Sequence, residues 1–491
     1  MQTKTLLFLS LGSIKGIIHL IGNQNYGFHR DELLHLACGE HLAWGYMEFP
    51  PFIAWMAGLS HFLFDASLGG TRIFATVAGL GILWLVLAIA EELGAQWRGL
   101  LIAGVCVLAF LPFFRNHTLF QPVAFDQFFW TLAFYCLLRY LRTDQWSSLI
   151  GLAIAVGLGL LNKYTMGFWI LGTGLGLLFY QKGAIYQRRT IYGAGLLGLL
   201  IWAPNIGWQW SNDWPVLGHL SELQASHLSE QTYWGFVRDQ LILPATLVTS
   251  LVGLWWLSRK AEYRWIAISV GIIFLLMLFL RAKTYYVYPI YPVLFAAGGV
   301  SFERWLVRYR PVWTYLLAAS IVLPFLYFIP HLTPVLPIDQ YIVYLGQEAE
   351  EVELTSDYAD MFGWPEQVAL VDSIYQSLSA EEQANCTIWA ENYGEAGAIH
   401  LLGKEYGLPA PVSRHGSFWT WGYGNPDPLV WISVGNELPV LESVFQNIDI
   451  VRYIDHPYAV AEERGIPVAV CRGLKVNLPS WWASYEDFIF N

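Results

Sequence analysis

Apolar residues recur along roughly the first 330 positions in long runs, and short polar loops separate the runs. They fall at about residues 5–22, 71–90, 98–113, 123–141, 147–161, 163–180, 190–204, 240–258, 265–280, 286–300 and 313–330. Most approach the roughly 20 residues that a helix needs to cross a hydrocarbon core of about 30 Å. The pattern predicts a polytopic α-helical membrane protein with about eleven transmembrane helices. Beyond residue 330 the pattern changes. Short apolar runs ("CTIWA", "LVWISVG", "PVAVC") alternate with turn-rich and amphipathic pieces, which predicts a small soluble α/β domain. The expected division is 1–330 for the membrane domain and 331–491 for the soluble one.

Composition agrees with the periodicity. The chain is 55% hydrophobic and 13% charged, with a mean hydropathy of +0.42, outside the balance of a soluble globular domain. The apolar run after Lys4 ends in "HLIGNQNYG" rather than in a small-residue cleavage site, so it is expected to stay as the first helix. Charge adds orientation. The loops carrying Arg139 and Arg142, Lys182, Arg188 and Arg189, Arg259, Lys260 and Arg264, and Arg304, Arg308 and Arg310 fall on one side if the spans alternate. Basic loops face the cytoplasm. The N-terminus is then cytoplasmic, the setting is a cytoplasmic (inner) membrane, and an odd number of spans sends the tail to the outer face. Residues 1–330 carry a net +6 and residues 331–491 a net −17, which marks the tail as a different kind of polypeptide.

The loop after the first span reads "NYGFHRDELLHLACGEHLAWGYMEFPPF" and gathers His29, Arg30, Asp31, Glu32, His35, Glu40, His41 and Glu48. Taken alone, Asp31 and Glu32 read as the cap of a loop helix facing water. Polar groups recur, however, where other spans meet the same face: Asp126 in "QPVAFDQFFW", Lys163 in "LLNKYTMGF", and Arg281 with Lys283 in "RAKTYYVYPIYP". Ionisable residues at membrane depth are costly and usually handle ions or substrates, or pair with one another. The acids Asp31 and Asp126 suit proton acceptance or hydroxyl orientation. Lys163, Arg281 and Lys283 suit an anion such as a phosphate. Tyr285 and Tyr286 belong to a crowd of aromatics read mostly as an interfacial belt.

Other features carry less. His29, His35 and His41 recur every six residues, which does not keep them on one helical face, so a zinc site made by these three alone is not expected. The loop with His219, Glu222 and His227 reads as a lid or membrane-surface segment. Five cysteines are too few for a disulfide scaffold; Cys386 and Cys471 are read as buried free thiols, with a disulfide between them as the alternative. The glycines of "GTGLGLL" lie in apolar helices and read as packing positions.

The stretches "YGFHRDELLHLACGEHLAWGYMEFPP", "FDQFFW", "GLGLLNKYTMGF" and "RAKTYYVYPIYPVLFAAGG" resemble bacterial members of glycosyltransferase family 39, polytopic enzymes of the C-type glycosyltransferase fold. That clan includes protein O-mannosyltransferases and the lipid A aminoarabinose transferase. The resemblance implies that Asp31 is the acid of the first outer loop, acting as catalytic base or acceptor-orienting group, with Glu32 as its neighbour. It implies a second acid at Asp126, a lysine near the lipid-linked phosphate at Lys163, and a donor pocket flanked by Arg281, Lys283, Tyr285 and Tyr286. The tail piece "ENYGEAGAIHLLGKEYGLPAPVSRHGSFWTWG" is similar to the tails of many bacterial relatives.

Chemistry sets the expected mechanism. A polyprenyl-phosphate leaving group is a weak base and needs charge stabilisation, from the basic residues or from a divalent metal, rather than a general acid. The attacking hydroxyl needs Asp31 as proton acceptor, in line with the anomeric carbon, giving inversion. The expected partners are a polyprenyl-phosphate sugar donor, a hydroxyl acceptor on protein, lipid or envelope glycan, and the bilayer, with no nucleic acid. No cofactor is firmly implied and a divalent metal stays open. The competing class is a secondary transporter using Asp31, Asp126 and Lys163 as an ion relay, although no internal repeat relates residues 1–165 to 166–330.

Overall fold

A computed structural model describes residues 2–223, 232–241, 244–348 and 352–487; His227 lies outside them. The first half is built from α1 (Gln2–Gly22), α2 (Arg30–Glu40), α3 (Phe52–Phe64), α4 (Leu68–Glu92), α5 (Trp97–Ala109), α6 (Leu111–Asn116), α7 (Pro122–Thr143), α8 (Trp146–Asn162) and α9 (Met166–Leu177). Then follow α10 (Arg189–Ser211), α11 (Pro215–Leu223), α12 (Tyr233–Asp239), α13 (Pro244–Arg259), α14 (Arg264–Phe279), α15 (Tyr291–Leu306) and α16 (Val312–Leu332).

Every apolar segment expected from the sequence contains a helix, but the helices are less uniform than the hydropathy suggests. Among the described residues, four single helices (α1, α4, α10 and α16) are long and apolar enough to cross a membrane. The local causes are visible. The segment 98–113 is broken between α5 and α6, where Phe110 is extended and Pro112 follows. The segment 163–180 begins in a turn, so its helix starts only at Met166. Helix α7 is long enough but carries Asp126, Arg139 and Arg142.

The two ends of the bundle differ as the loops predict. Lys4 pairs with Glu91 at 2.5 Å, Arg142 with Glu92 at 2.6 Å and Arg188 with Asp144 at 2.7 Å, so the basic loops and the N-terminus gather at one end. The loop holding α2 is at the other. Helix α2 starts where it does because His29 caps it: the imidazole accepts from the Asp31 amide at 3.2 Å while Glu32 reaches back to the His29 amide at 2.9 Å. Helix α3 follows the "EFPP" turn and buries one face, through Ile53, Ala54, Ala57 and Ser60, while Phe62 on the opposite side stays exposed.

The last span ends at Leu332, two residues beyond the expected boundary. The tail forms a four-stranded sheet of β1 (Cys386–Ala390), β2 (Val430–Val434), β3 (Phe445–Ile454) and β4 (Ile466–Leu474), in the order β1-β2-β4-β3. Strands β1 and β2 run parallel and the other pairings are antiparallel. Residues 393–402 form the crossover helix between β1 and β2, as a parallel pair requires. Cys386 and Cys471 are both buried and free. The domain sits directly on α2. A Cβ at Gly394 would come within 3.1 Å of Arg30, and one at Gly397 within 2.8 Å of Leu33, so these glycines set the close approach of the crossover helix. Glu48 accepts from both the amide and the hydroxyl of Ser417 at 2.5 Å, a second tie between loop and tail.

Candidate active site

The capping that starts α2 places Asp31 and Glu32 in its first turn, about 100° apart around the helix. They consequently do different things. Glu32 is fully buried against Arg72 of α4, which donates from Nε at 3.0 Å and Nη2 at 2.8 Å; Glu32 also accepts from the Phe120 amide at 2.9 Å. A sequence reading that puts Glu32 beside the chemistry has to be adjusted: its lone pairs are spent holding α2 against α4 and the α6–α7 turn.

Asp31 is only half-buried and its two oxygens are held separately. One accepts from Gln121 Nε2 at 2.7 Å, and the other from the phenol of Tyr393 in the tail at 3.0 Å. Burial alone would raise its pKa, but the charges of His29 and His35, the Tyr393 hydrogen bond and Arg30 outweigh it, so Asp31 is held below its ordinary value and is ionised at neutral pH.

Cations gather around Asp31 and the neighbouring Tyr285 and Tyr286. Arg115 of α6 and Lys283 both lie within electrostatic reach of Asp31. Lys163, at the end of α8, sits over the rings of Tyr285 and Tyr286, 4.8 and 4.3 Å from their centroids. Its charge also faces Asp126, and that carboxylate accepts from the Thr165 hydroxyl at 2.9 Å on both oxygens. Among the described residues neither Lys163 nor Lys283 forms an ion pair with a carboxylate. The tyrosines come from the 3-10 segment Thr284–Ile290, where their rings meet edge to face at 4.7 Å.

The fold thus gathers Asp31, Asp126, Lys163, Lys283, Tyr285 and Tyr286 as the sequence suggested, and leaves Arg281 out. Arg281 is exposed and its guanidinium stacks over Tyr233 at 5.0 Å. Tyr288 and Tyr291 pack on Phe110, as core residues. His35 bonds the Phe120 carbonyl at 3.0 Å and His41 stacks on Trp421. His29 faces Asp360 at 3.4 Å, the single histidine of the three to meet a remote carboxylate in this way. Among the described residues no three His, Cys, Asp or Glu side chains gather as a metal-binding group.

Five participants were not singled out from the sequence. Arg115 comes from α6 and Gln121 from the α6–α7 turn; Tyr393, Asp357 and Asp360 come from the tail. Asp357 forms a two-pronged pair with Arg115, and Asp360 accepts from Arg30 Nε at 2.5 Å. Arg115 carried a usable signal, being a charge directly after an apolar run at the same end as Asp126. The tail residues carried none, because their contacts with α2 and α6 span more than 240 positions.

Comparison with known proteins agrees with this architecture. Residues 48–208, which include Asp126 and Lys163, match the sequence model of the family described as dolichyl-phosphate-mannose-protein mannosyltransferase, and the resemblance to glycosyltransferase family 39 is borne out. No curated protein sequence matches significantly. The fold is similar to that of ArnT from Cupriavidus metallidurans in the apo state, with 14% identity over 98% of each chain and a TM-score of 0.61. It is also similar to ArnT from the same organism bound to undecaprenyl phosphate, with 14% identity over 95% of this chain and 97% of that one and a TM-score of 0.58.

Proposed function

We propose that this chain is a membrane glycosyltransferase that moves a sugar from a polyprenyl-phosphate-linked donor to a hydroxyl acceptor on the outer face of the cytoplasmic membrane, with inversion. The observation that carries the reading is the gathering of an ionised, half-buried Asp31 with Lys283, and of Lys163 over Tyr285 and Tyr286, where neither lysine is in direct ion-pair contact with a carboxylate among the described residues. Two lysines held at a distance from their counter-charges can still take a phosphate in direct contact. The fold shared with ArnT, crystallised with undecaprenyl phosphate, supports the lipid-linked form of that phosphate.

The roles follow from position. Lys163 and Lys283 hold the phosphate and stabilise the charge that develops on it as the glycosidic bond breaks. Tyr285 and Tyr286 wall the lysine and offer hydroxyls beside it. Asp126 is the counter-charge that keeps Lys163 in place, itself fixed by Thr165. Asp31 accepts the proton of the incoming hydroxyl and aligns it with the anomeric carbon. Tyr393 and Gln121 each donate to one Asp31 oxygen, which orients the carboxylate and leaves it further lone pairs for the acceptor hydroxyl.

The tail lies on the outer face in this reading, since the basic loops cluster at the opposite end of the bundle. Incubating the purified protein with a radiolabelled polyprenyl-phosphate sugar tests the reaction class: transfer or slow hydrolysis is expected. Ion-dependent uptake by proteoliposomes without turnover would replace this reading with a transporter.

A further inference from the structure

We propose that Asp357 stands in for the donor phosphate on Arg115, and that donor binding exchanges the one anion for the other. This rests on the reading of the chain as a transferase using a polyprenyl-phosphate donor. Among the described residues, Arg115 is the one cation near Asp31 and Tyr285 whose guanidinium is engaged by a single carboxylate across both Nε and Nη2. Two parallel N–H groups are the arrangement with which arginine also grips two phosphate oxygens.

The pair has the marks of an exchangeable contact. Arg115 and Asp357 have side chains 36% and 22% exposed, whereas the structural pair Arg72–Glu32 is at 0% for both. Asp357 belongs to a one-turn helix, Ser356–Ala359, laid over the site from the tail. Burial would raise the pKa of Asp357, but the hydrogen bond and charge of Arg115 outweigh it, so it is ionised and competes as an anion. Asp357 is also repelled by Asp31, a penalty it escapes by leaving. A phosphate between Arg115, Lys163 and Lys283 meets three cations, while Asp357 satisfies one. Exchange therefore couples donor arrival to a loosening of the tail over Asp31, where the acceptor must enter.

The test is titration of the purified full-length protein, in detergent, with undecaprenyl phosphate that carries no sugar. Wild type is expected to bind saturably. Asp357→Asn, which removes the competing charge, is expected to bind about three- to tenfold tighter, and Arg115→Gln about tenfold weaker, with Arg115→Lys between wild type and Gln. A purely structural salt bridge gives the opposite sign for Asp357→Asn; equal or weaker binding by that variant, in monodisperse protein, overturns the exchange. Asp357→Ser repeats the measurement if the Asn variant does not purify. Absence of saturable binding by wild type removes the donor reading itself, which separates the two failures.

Discussion

The phenol of Tyr393 donates to Asp31 at 3.0 Å across 362 positions of chain, so the tail contributes directly to the state of a carboxylate on α2. That hydrogen bond is among the influences that hold Asp31 below its ordinary pKa. Removing it in Tyr393→Phe raises the Asp31 pKa and keeps the ring packing. Activity that needs ionised Asp31 then loses its acid side first, and the acid limb of the rate–pH profile moves to higher pH. An unshifted limb would mean that Tyr393 only packs.

Glu32→Gln is expected to damage stability rather than chemistry. The change leaves Arg72 fully buried with its charge unmatched, and breaking such a pair costs about 3–5 kcal/mol. A thermal melt in detergent should show a large drop, and Arg72→Met with Glu32→Met should recover part of it, since an apolar pair of that kind is often tolerated. A Glu32→Gln protein that melts like wild type would remove the structural role.

Much of this site was legible in the chain, and the reason is local. Asp31, Asp126, Lys163, Lys283 and the two tyrosines each interrupt or border an apolar run, where a charge or hydroxyl stands out by cost alone. Glu32 stood out only as the neighbour of Asp31, and the turn of about 100° around the helix between them carries it to Arg72. Arg281 looked equivalent to Lys283 for the same reason: two residues apart on an irregular segment, they point to different surroundings. Tyr393, Asp357 and Asp360 were illegible because the tail docks through glycine contacts at Gly394 and Gly397 that no periodicity announces. The spans were found as segments, while their lengths depended on breaks at Phe110 and before Met166 that hydropathy averages away.

Lys163→Met keeps the length and apolar stem of the side chain and removes the charge proposed to hold the donor phosphate. The loss of a charge-assisted contact of about 1.5–3 kcal/mol corresponds to roughly a 10- to 100-fold weaker affinity for undecaprenyl phosphate. Unchanged affinity would assign Lys163 to Asp126 alone.

Topology is open to a labelling experiment at an exposed loop position. Ser417 is unsuitable, being buried and bonded to Glu48, whereas Asp427 is exposed and the five native cysteines are all buried. Asp427→Cys should react with an impermeant thiol reagent in intact spheroplasts. Protection until the membrane is permeabilised would turn the tail to the cytoplasm.

Asp31 is proposed to accept the proton of the attacking hydroxyl. Asp31→Asn preserves the size of the side chain and its place between Gln121 and Tyr393, yet it cannot take that proton. Transfer from a defined polyprenyl-phosphate sugar, measured for wild type and Asp31→Asn at matched expression and with donor binding verified, tests it most directly. The expected rate is lower by about 10² to 10⁴ with donor affinity retained; near wild-type turnover by Asp31→Asn would rule out Asp31 as the proton acceptor.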